Sequence, residues 1–181
     1  PGRGTYARDG GGVLISQAIH VLDLMLSLTG PAETVQAFSA MTALHRLEAE
    51  DFATAGVRFA SGAVGSIVAT TATYPGGSES IVLDGTLATA TLRGGTLEVV
   101  WRDGRTEQVD EPATTGGGAD PMAFPCDWHK ALIADFATAI REQRAPLVTG
   151  REALKVHALI DAMTRSATTG AVQEVAPVAT R

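Results

Sequence analysis

Hydrophobic residues recur in successive patterns along the chain, and these patterns predict one helix, then a set of strands, then two helices. Helical spacing without Gly or Pro predicts a helix from Val13 to Leu28, which Thr29-Gly30-Pro31 ends because Pro cannot continue it. Between Glu33 and Asp110, short runs rich in Val, Ile, Thr and Phe predict an antiparallel meander of about six or seven strands. Helical spacing then returns, and the tail from Val172 to Arg181 predicts a short edge strand.

The predicted strands are separated by dipeptides that favour tight turns, because Gly supplies the positive φ that a two-residue hairpin loop needs. These dipeptides are Ser61-Gly62, Asp84-Gly85, Gly94-Gly95 and Asp103-Gly104. Alternation over residues 53–59 predicts one buried face, whereas residues 64–74 are moderately apolar on both faces. The second pattern favours a sheet covered on both sides, by helices and by a partner subunit. We therefore predict an α+β fold: an open, mostly antiparallel β-sheet with helices packed on one face.

Two further patterns predict the helices that close the chain. An apolar stripe at i, i+4 spacing predicts the first, and its residues are Trp128, Leu132, Phe136 and Ile140. Thr149 and Glu152 form a capping-box pattern at the start of the second, since the hydroxyl and the carboxylate can each reach an amide that lacks a helical partner.

Composition narrows the possible functions. The 181 residues are 45% apolar, enough for one globular domain, and carry a formal net charge of −6. The basic residues are scattered singly and no uninterrupted run of about 18 apolar residues occurs, so we expect no nucleic acid or membrane partner. The single cysteine, Cys126, and the lack of a secretory leader favour the cytoplasm. No metal is expected, since a charged turn before a strand explains Glu48, Glu50 and Asp51.

His20 is the leading candidate for chemistry. On the predicted helix, Ser16 lies four residues before it and Asp23 three residues after it, so the three share one polar face, with Gln17 beside them. Two interpretations stay open at this point. His20 is either a buried histidine held by Asp23, or a general base, since imidazole titrates near pH 6.5 or so and accepts a proton at neutral pH.

Three segments resemble the glucose–fructose oxidoreductase/inositol dehydrogenase/MocA (Gfo/Idh/MocA) family. The segment from Gly10 to Asp23 is similar to that family's G-G-G-x-L-x-x-Q-x-x-H-x-x-D segment. Glu50-Asp51, followed by Phe59-Ala60-Ser61-Gly62-Ala63-Val64-Gly65, resembles its E-D and F-x-x-G-A-x-G region. Residues 135–167 resemble its closing helices.

The resemblance extends over nearly the whole chain and implies the family's C-terminal domain. That domain is dihydrodipicolinate reductase-like, and its open sheet forms much of the substrate pocket and of the subunit interface. The family's N-terminal Rossmann domain, which binds NAD or NADP, has no counterpart in this sequence. We therefore expect residues 1–181 to be a single substrate-binding and oligomerisation domain, a fragment that is inactive alone because its cofactor is bound mainly by the missing domain.

The resemblance places the family's catalytic histidine at His20, which would accept a substrate hydroxyl proton while hydride leaves the same carbon for the nicotinamide. Many members carry Asp or Asn where this chain has Ser16. Serine can hydrogen-bond a sugar hydroxyl, but it supplies no charge to raise the pKa of a neighbouring histidine. Further candidates are Gln17 and His129 for substrate binding, and Gly11 and Gly12 for contact with the cofactor.

The leading hypothesis is an NAD(P)-dependent oxidoreductase that acts on a sugar, polyol or related hydroxyl compound and forms a homo-oligomer through the sheet face. One alternative, motivated by Ser16, is a catalytically silent sugar-binding or oligomerisation homologue. A second alternative is an NAD-dependent glycoside hydrolase, which the family also contains.

Overall fold

The computed structural model describes residues 4–110 and 126–178, and the chain divides into two units. The first unit comprises Pro1–Gly76 with Val148–Arg181, and the second comprises Gly77–Leu147. The helices of the described residues are α1 (Tyr6–Asp9), a π-helix (Leu14–Ala18), α2 (Ile19–Thr29), α3 (Asp127–Glu142) and α4 (Gly150–Thr169). The strands are β1 (Ala32–Ala40), β2 (Phe52–Phe59), β3 (Val64–Thr70), β4 (Ser80–Asp84), β5 (Ala88–Arg93), β6 (Thr96–Trp101), β7 (Thr106–Asp110) and β8 (Gln173–Glu174).

All strand pairs are antiparallel, and within the described residues the strands form two four-stranded sheets. The first unit holds the order β3-β2-β1-β8, and the second holds the meander β4-β5-β6-β7. The α+β fold, the antiparallel strands and the edge strand near the C-terminus are thereby confirmed, and the structure adds the division into two sheets. Residues 71–79 separate β3 from β4 and include Pro75 and Gly76, which do not favour a continuous strand because Pro cannot donate to the ladder and Gly adds no side chain.

One face of the first sheet is buried against α4, as the alternation along β2 predicts. The core is continuous from the sheet through α4 to the helix that precedes β1; among its members are Leu22, Val35, Val57, Phe59, Leu159 and Met163. The opposite face of this sheet leaves Phe38, Val64 and Val68 exposed.

A buried hydroxyl ties α4 to the sheet. The amide of Ala37 donates to Ser166 Oγ at 2.9 Å, and Ser166 Oγ donates to the carbonyl of Ala171 at 2.7 Å. Strand β8 pairs only with Thr34 and Val35 of β1, so the amide of Ala37 lies beyond its reach. Ser166 supplies the acceptor that this buried amide requires.

The helix before β1 differs from its prediction at its start. Helical spacing predicts one regular helix, but the structure has the π-helix at Leu14–Ala18 and then α2. The spacing of apolar residues cannot distinguish a π-helical turn from a regular α-helix, because a single wide turn changes the backbone hydrogen bonds more than it changes the side-chain pattern. The predicted end is confirmed, since Gly30 adopts a φ of 81° and its amide donates to the carbonyl of Leu26 at 2.9 Å.

One stretch of the described residues, Tyr6–Thr29, is 24 residues long and apolar enough to cross a membrane by length and composition alone. No uninterrupted apolar run of about 18 residues occurs in the sequence, but a window average tolerates isolated polar residues. Of the most apolar 18-residue window in this stretch, 39% is buried inside the protein. Val13, Leu14, Leu22 and Leu26 belong to the core, and the core helix of a soluble protein passes the same test.

Candidate functional site

His20 lies at the start of α2, and its side chain is exposed. Asp23 is exposed as well, and no hydrogen bond joins the two side chains. The interpretation of His20 as a buried histidine held by Asp23 is therefore wrong. Within the part of the chain that the structure describes, nothing hydrogen-bonds to the imidazole, so it is accessible to a bound molecule.

Ser16 and Gln17 lie in the π-helix immediately before α2. The amide and the hydroxyl of Ser16 both donate to the carbonyl oxygen of Gly12, at 3.0 and 2.7 Å. Because its proton is donated inside the protein, the Ser16 hydroxyl is left with lone pairs that can only accept from a ligand. Gln17 is exposed, and short π-helical turns occur frequently at functional sites.

One acidic residue holds the start of this helical segment. The two carboxylate oxygens of Glu50 accept from the amides of Gly12 and Leu14, each at 3.2 Å, and the Glu50 carbonyl accepts from the amide of Val13 at 2.8 Å. The first amides of a helix have no partner within the helix, and a negative charge near them is favourable. Glu50 therefore caps this helical segment from a position 36 to 38 residues later in the chain.

Residues 10–12, which we term the glycine turn, contact Glu50 through Gly12. A Cβ at Gly12 would lie 1.8 Å from the carbonyl oxygen of Glu50, so no other residue fits there without moving the backbone. Gly11 has a φ of 153°, in the region that favours glycine. Both glycines thus have a structural role, and the Gly12 amide is already bonded. Contact of either glycine with a cofactor stays a prediction.

Asp51, beside Glu50, is fully buried, and its carboxylate accepts three hydrogen bonds. They come from the amide of Thr42 at 2.7 Å, from its hydroxyl at 2.7 Å and from Nδ1 of His45 at 2.8 Å. Burial acts to raise the pKa of Asp51, but the hydrogen bonds from Thr42 and His45 outweigh it and hold that pKa below its ordinary value. Asp51 therefore fixes the loop of residues 41–51, which we term the anchoring loop.

His129 lies on α3 in the second unit, and its side chain is exposed. His20, Ser16, Gln17 and the glycine turn all lie in the first unit. A pocket shared by His129 and His20 stays a prediction. Within residues 4–110 and 126–178, no group of three or more His, Cys, Asp or Glu side chains could hold a metal ion.

Sequence reasoning missed the structural roles of Glu50 and Asp51. A pattern for Asp51 was present, because the buried alternation at Ala53, Ala55 and Val57 extends back to position 51. No local pattern connects Glu50 with Gly12, since the two are 38 residues apart.

Comparison with known proteins establishes the family. Residues 4–176 match the family model for the oxidoreductase family, C-terminal alpha/beta domain. The chain belongs to the Gfo/Idh/MocA oxidoreductase family. The resemblance of the three sequence segments to that family is thereby confirmed. Among curated protein sequences, none matches this chain.

Solved structures of dehydrogenases share the fold. The WlbA dehydrogenase from Bordetella pertussis, in complex with NADH and UDP-GlcNAcA, is 29% identical with a TM-score of 0.75, over 97% of this chain and 51% of that one. WlbA from Chromobacterium violaceum, with the same ligands, is 31% identical with a TM-score of 0.71. The match covers 93% of this chain and 47% of that one. Levoglucosan dehydrogenase, in complex with NADH and levoglucosan, is 22% identical with a TM-score of 0.75, and the match covers 93% of this chain and 52% of that one. At this identity the similarity shows the fold alone. The chain thus spans about half the length of these structures.

Replacement of Gly12 by Ala tests the contact between the glycine turn and the anchoring loop. We expect G12A to lower the free energy of unfolding by more than about 3 kcal/mol, since the new Cβ must displace the Glu50 backbone. Urea denaturation followed by circular dichroism measures the change. The matched control is G56A, because a Cβ at Gly56 meets nothing within 4 Å and should change stability by less than about 1 kcal/mol. Equal losses in the two variants would contradict the contact.

The lowered pKa of Asp51 predicts a pH dependence of stability. Because that pKa is lower in the folded than in the unfolded protein, the ionised carboxylate contributes stability above about pH 4 that is lost as the pH falls through the lowered value. We expect D51N to be less stable at pH 7 and to lose less stability than the wild type on acidification. Urea titrations from neutral to acidic pH measure this, with D23N as an exposed control. Parallel pH profiles of D51N and the wild type would show that the prediction is wrong.

Proposed function

We propose that this chain is the substrate-binding domain of a cytoplasmic NAD(P)-dependent oxidoreductase that acts on a hydroxyl carbon of a sugar, polyol or related compound. The observation that carries the proposal is the exposed His20 imidazole, without a hydrogen bond in the described part of the chain, on the helix that follows the family's glycine turn. Support for the cofactor and for a sugar-type substrate comes from the two WlbA dehydrogenases, which bind NADH and UDP-GlcNAcA. The free Cys126 fits a reducing compartment.

In the proposed reaction, His20 accepts the proton of the substrate hydroxyl. The same carbon loses its hydrogen as hydride, and a carbonyl remains. A nicotinamide supplies the hydride acceptor when bound. An imidazole suits the proton transfer because it can both accept and return a proton near neutral pH.

We assign no complete dinucleotide site to the described residues of this chain. The sequence contains no G-x-G-x-x-G fingerprint, and the Gly12 amide is already bonded to Glu50. We therefore assign the main binding of NAD or NADP to a part of the protein outside this chain, with Gly11 and Gly12 at the edge of the bound cofactor. The chain alone is then inactive.

Substrate binding in this proposal uses Ser16, Gln17 and His129. Ser16 accepts a hydrogen bond from a substrate hydroxyl, since its own proton is donated to Gly12. The same observation favours a second candidate function, a catalytically silent sugar-binding homologue, because Ser16 supplies neither a charge nor a second donor beside His20.

Replacement of His20 by Ala in the full-length gene product tests the proposal. We expect H20A to lower kcat for NADH formation from a sugar or sugar alcohol by roughly 10²- to 10⁴-fold, since the general base is removed. H157A is the matched control, because His157 is an exposed histidine on α4 outside the site, and it should keep wild-type turnover.

Three results would redirect the interpretation. Wild-type turnover in H20A would show that the role of His20 is wrong. Sugar binding without any NAD reduction by the wild type would favour the silent homologue. Glycoside cleavage without net NADH formation would favour a glycoside hydrolase.

The proposal includes a homo-oligomer formed through the open face of the first sheet. This face exposes 66% of Phe38, 70% of Val64 and 68% of Val68. Strand pairing places Phe38, Thr54 and Val68 in one row across β1, β2 and β3. Phe38 and Val68 are exposed apolar groups on either side of Thr54 in this row, and they support burial against another subunit.

Light scattering of the full-length protein tests the oligomer. We expect the wild type to be larger than a monomer and V68K to dissociate it, because a buried unpaired charge opposes association. L154K places the same charge at an exposed leucine on α4, away from this face, and should keep the wild-type mass. A monomeric wild type would contradict this part of the proposal.

A further inference from the structure

We propose that Glu50 is a positioning residue for His20, which it orients by fixing the start of the helical segment that carries the histidine. The inference rests on the proposed function, since it concerns the same site. It assigns a role in the reaction to a residue that does not touch the substrate and that is distant from His20 in the sequence.

The contacts of Glu50 account for three consecutive amides at the start of the segment. Its carboxylate accepts from Gly12 and Leu14, and its carbonyl accepts from Val13. Val13, the residue before the π-helix, makes no side-chain capping hydrogen bond of its own. The start of this helical segment is therefore determined by Glu50 of the anchoring loop, and not by a local cap.

A continuous helical segment leads from these amides to His20. The carbonyl of Gly12 accepts from both the amide and the hydroxyl of Ser16, which lies four residues before His20. Val13 and Leu14 are buried in the core, each about 3% exposed. Because this segment is continuous, a shift of the glycine turn would move the imidazole.

Glu50 is itself held in place. Asp51 is fully buried, its amide donates to the carbonyl of Ala40 at 3.1 Å, and its carbonyl accepts from the amide of Thr71 at 3.0 Å. The carbonyl of Gly4 also accepts from the amides of Glu48 and Ala49, both at 3.1 Å, so the anchoring loop holds the chain before the glycine turn as well. A carboxylate supported in this way can define the position of a helix.

Kinetics of variants in the full-length protein test the inference. We expect E50A to lower kcat by roughly 10- to 100-fold with little change in the KM for the cofactor, since small displacements of a catalytic group cost this much. E50Q retains one acceptor oxygen and should lose less. E48A removes an exposed carboxylate from the same loop and should keep wild-type kcat, because the Glu48 side chain makes no hydrogen bond among the described residues.

A double-mutant cycle separates positioning from general stability. If Glu50 acts through His20, E50A should lower turnover in the H20A background by less than about twofold, since the group that it positions is already absent. An equal fold-loss in the wild-type and H20A backgrounds would overturn the inference. A wild-type kcat in E50A would overturn it as well.

Hydrogen exchange gives a readout that does not depend on activity. In the full-length protein, E50A should speed amide exchange in residues 12–20 by roughly tenfold or more, whereas E48A should not. Unchanged exchange in E50A would overturn the inference, even if H20A confirms the proposed function. Wild-type turnover in H20A together with faster exchange in E50A would overturn the proposed function, and with it the role of Glu50 in the reaction, while the helix anchor would stand.

Discussion

The first unit depends on the hydrogen bonds that Glu50 accepts at the start of the helical segment carrying His20. A helix that begins inside a protein presents amides without partners, and each unsatisfied buried amide costs about 1–3 kcal/mol. Glu50 satisfies the amides of Gly12, Val13 and Leu14 together. The same closeness requires glycine at position 12, because a Cβ there would meet the Glu50 backbone. The contact therefore requires both the carboxylate of Glu50 and the absence of a side chain at Gly12.

Buried polar residues connect distant elements throughout this unit. Asp51 ties the loop before β2 to Thr42 and His45, and Ser166 ties α4 to β1 where β8 has ended. Among the described residues, no buried side-chain nitrogen or oxygen lacks a hydrogen-bond partner. Each buried polar group therefore specifies one arrangement of the elements that it joins, since any other arrangement would leave it unpaired.

Much of the fold could be predicted from short-range patterns. The alternation over β2, the turn glycines Gly62 and Gly104, and the hydroxyl of Thr149 at the start of α4 all behave as predicted. The capping box is half formed, because the Glu152 carboxylate contacts Lys155 instead of returning to the Thr149 amide. The π-helix and the division into two sheets were not predicted. Both depend on which backbone groups find partners elsewhere, and apolar spacing does not report this.

The sequence alone determined most of the helices and strands, the family and the candidate histidine, because helix and strand periodicity, turn glycines and motif spacing depend on neighbouring residues. Only the tertiary structure decided that His20 is exposed and not held by Asp23, and that Glu50 and Asp51 are part-buried and buried structural groups while Glu48 is exposed. Glu50 and Gly12 are 38 residues apart, and Ala37 and Ser166 are 129 apart. Contacts at such separations form only when the packing of whole elements brings their backbones together, and no local pattern carries that information.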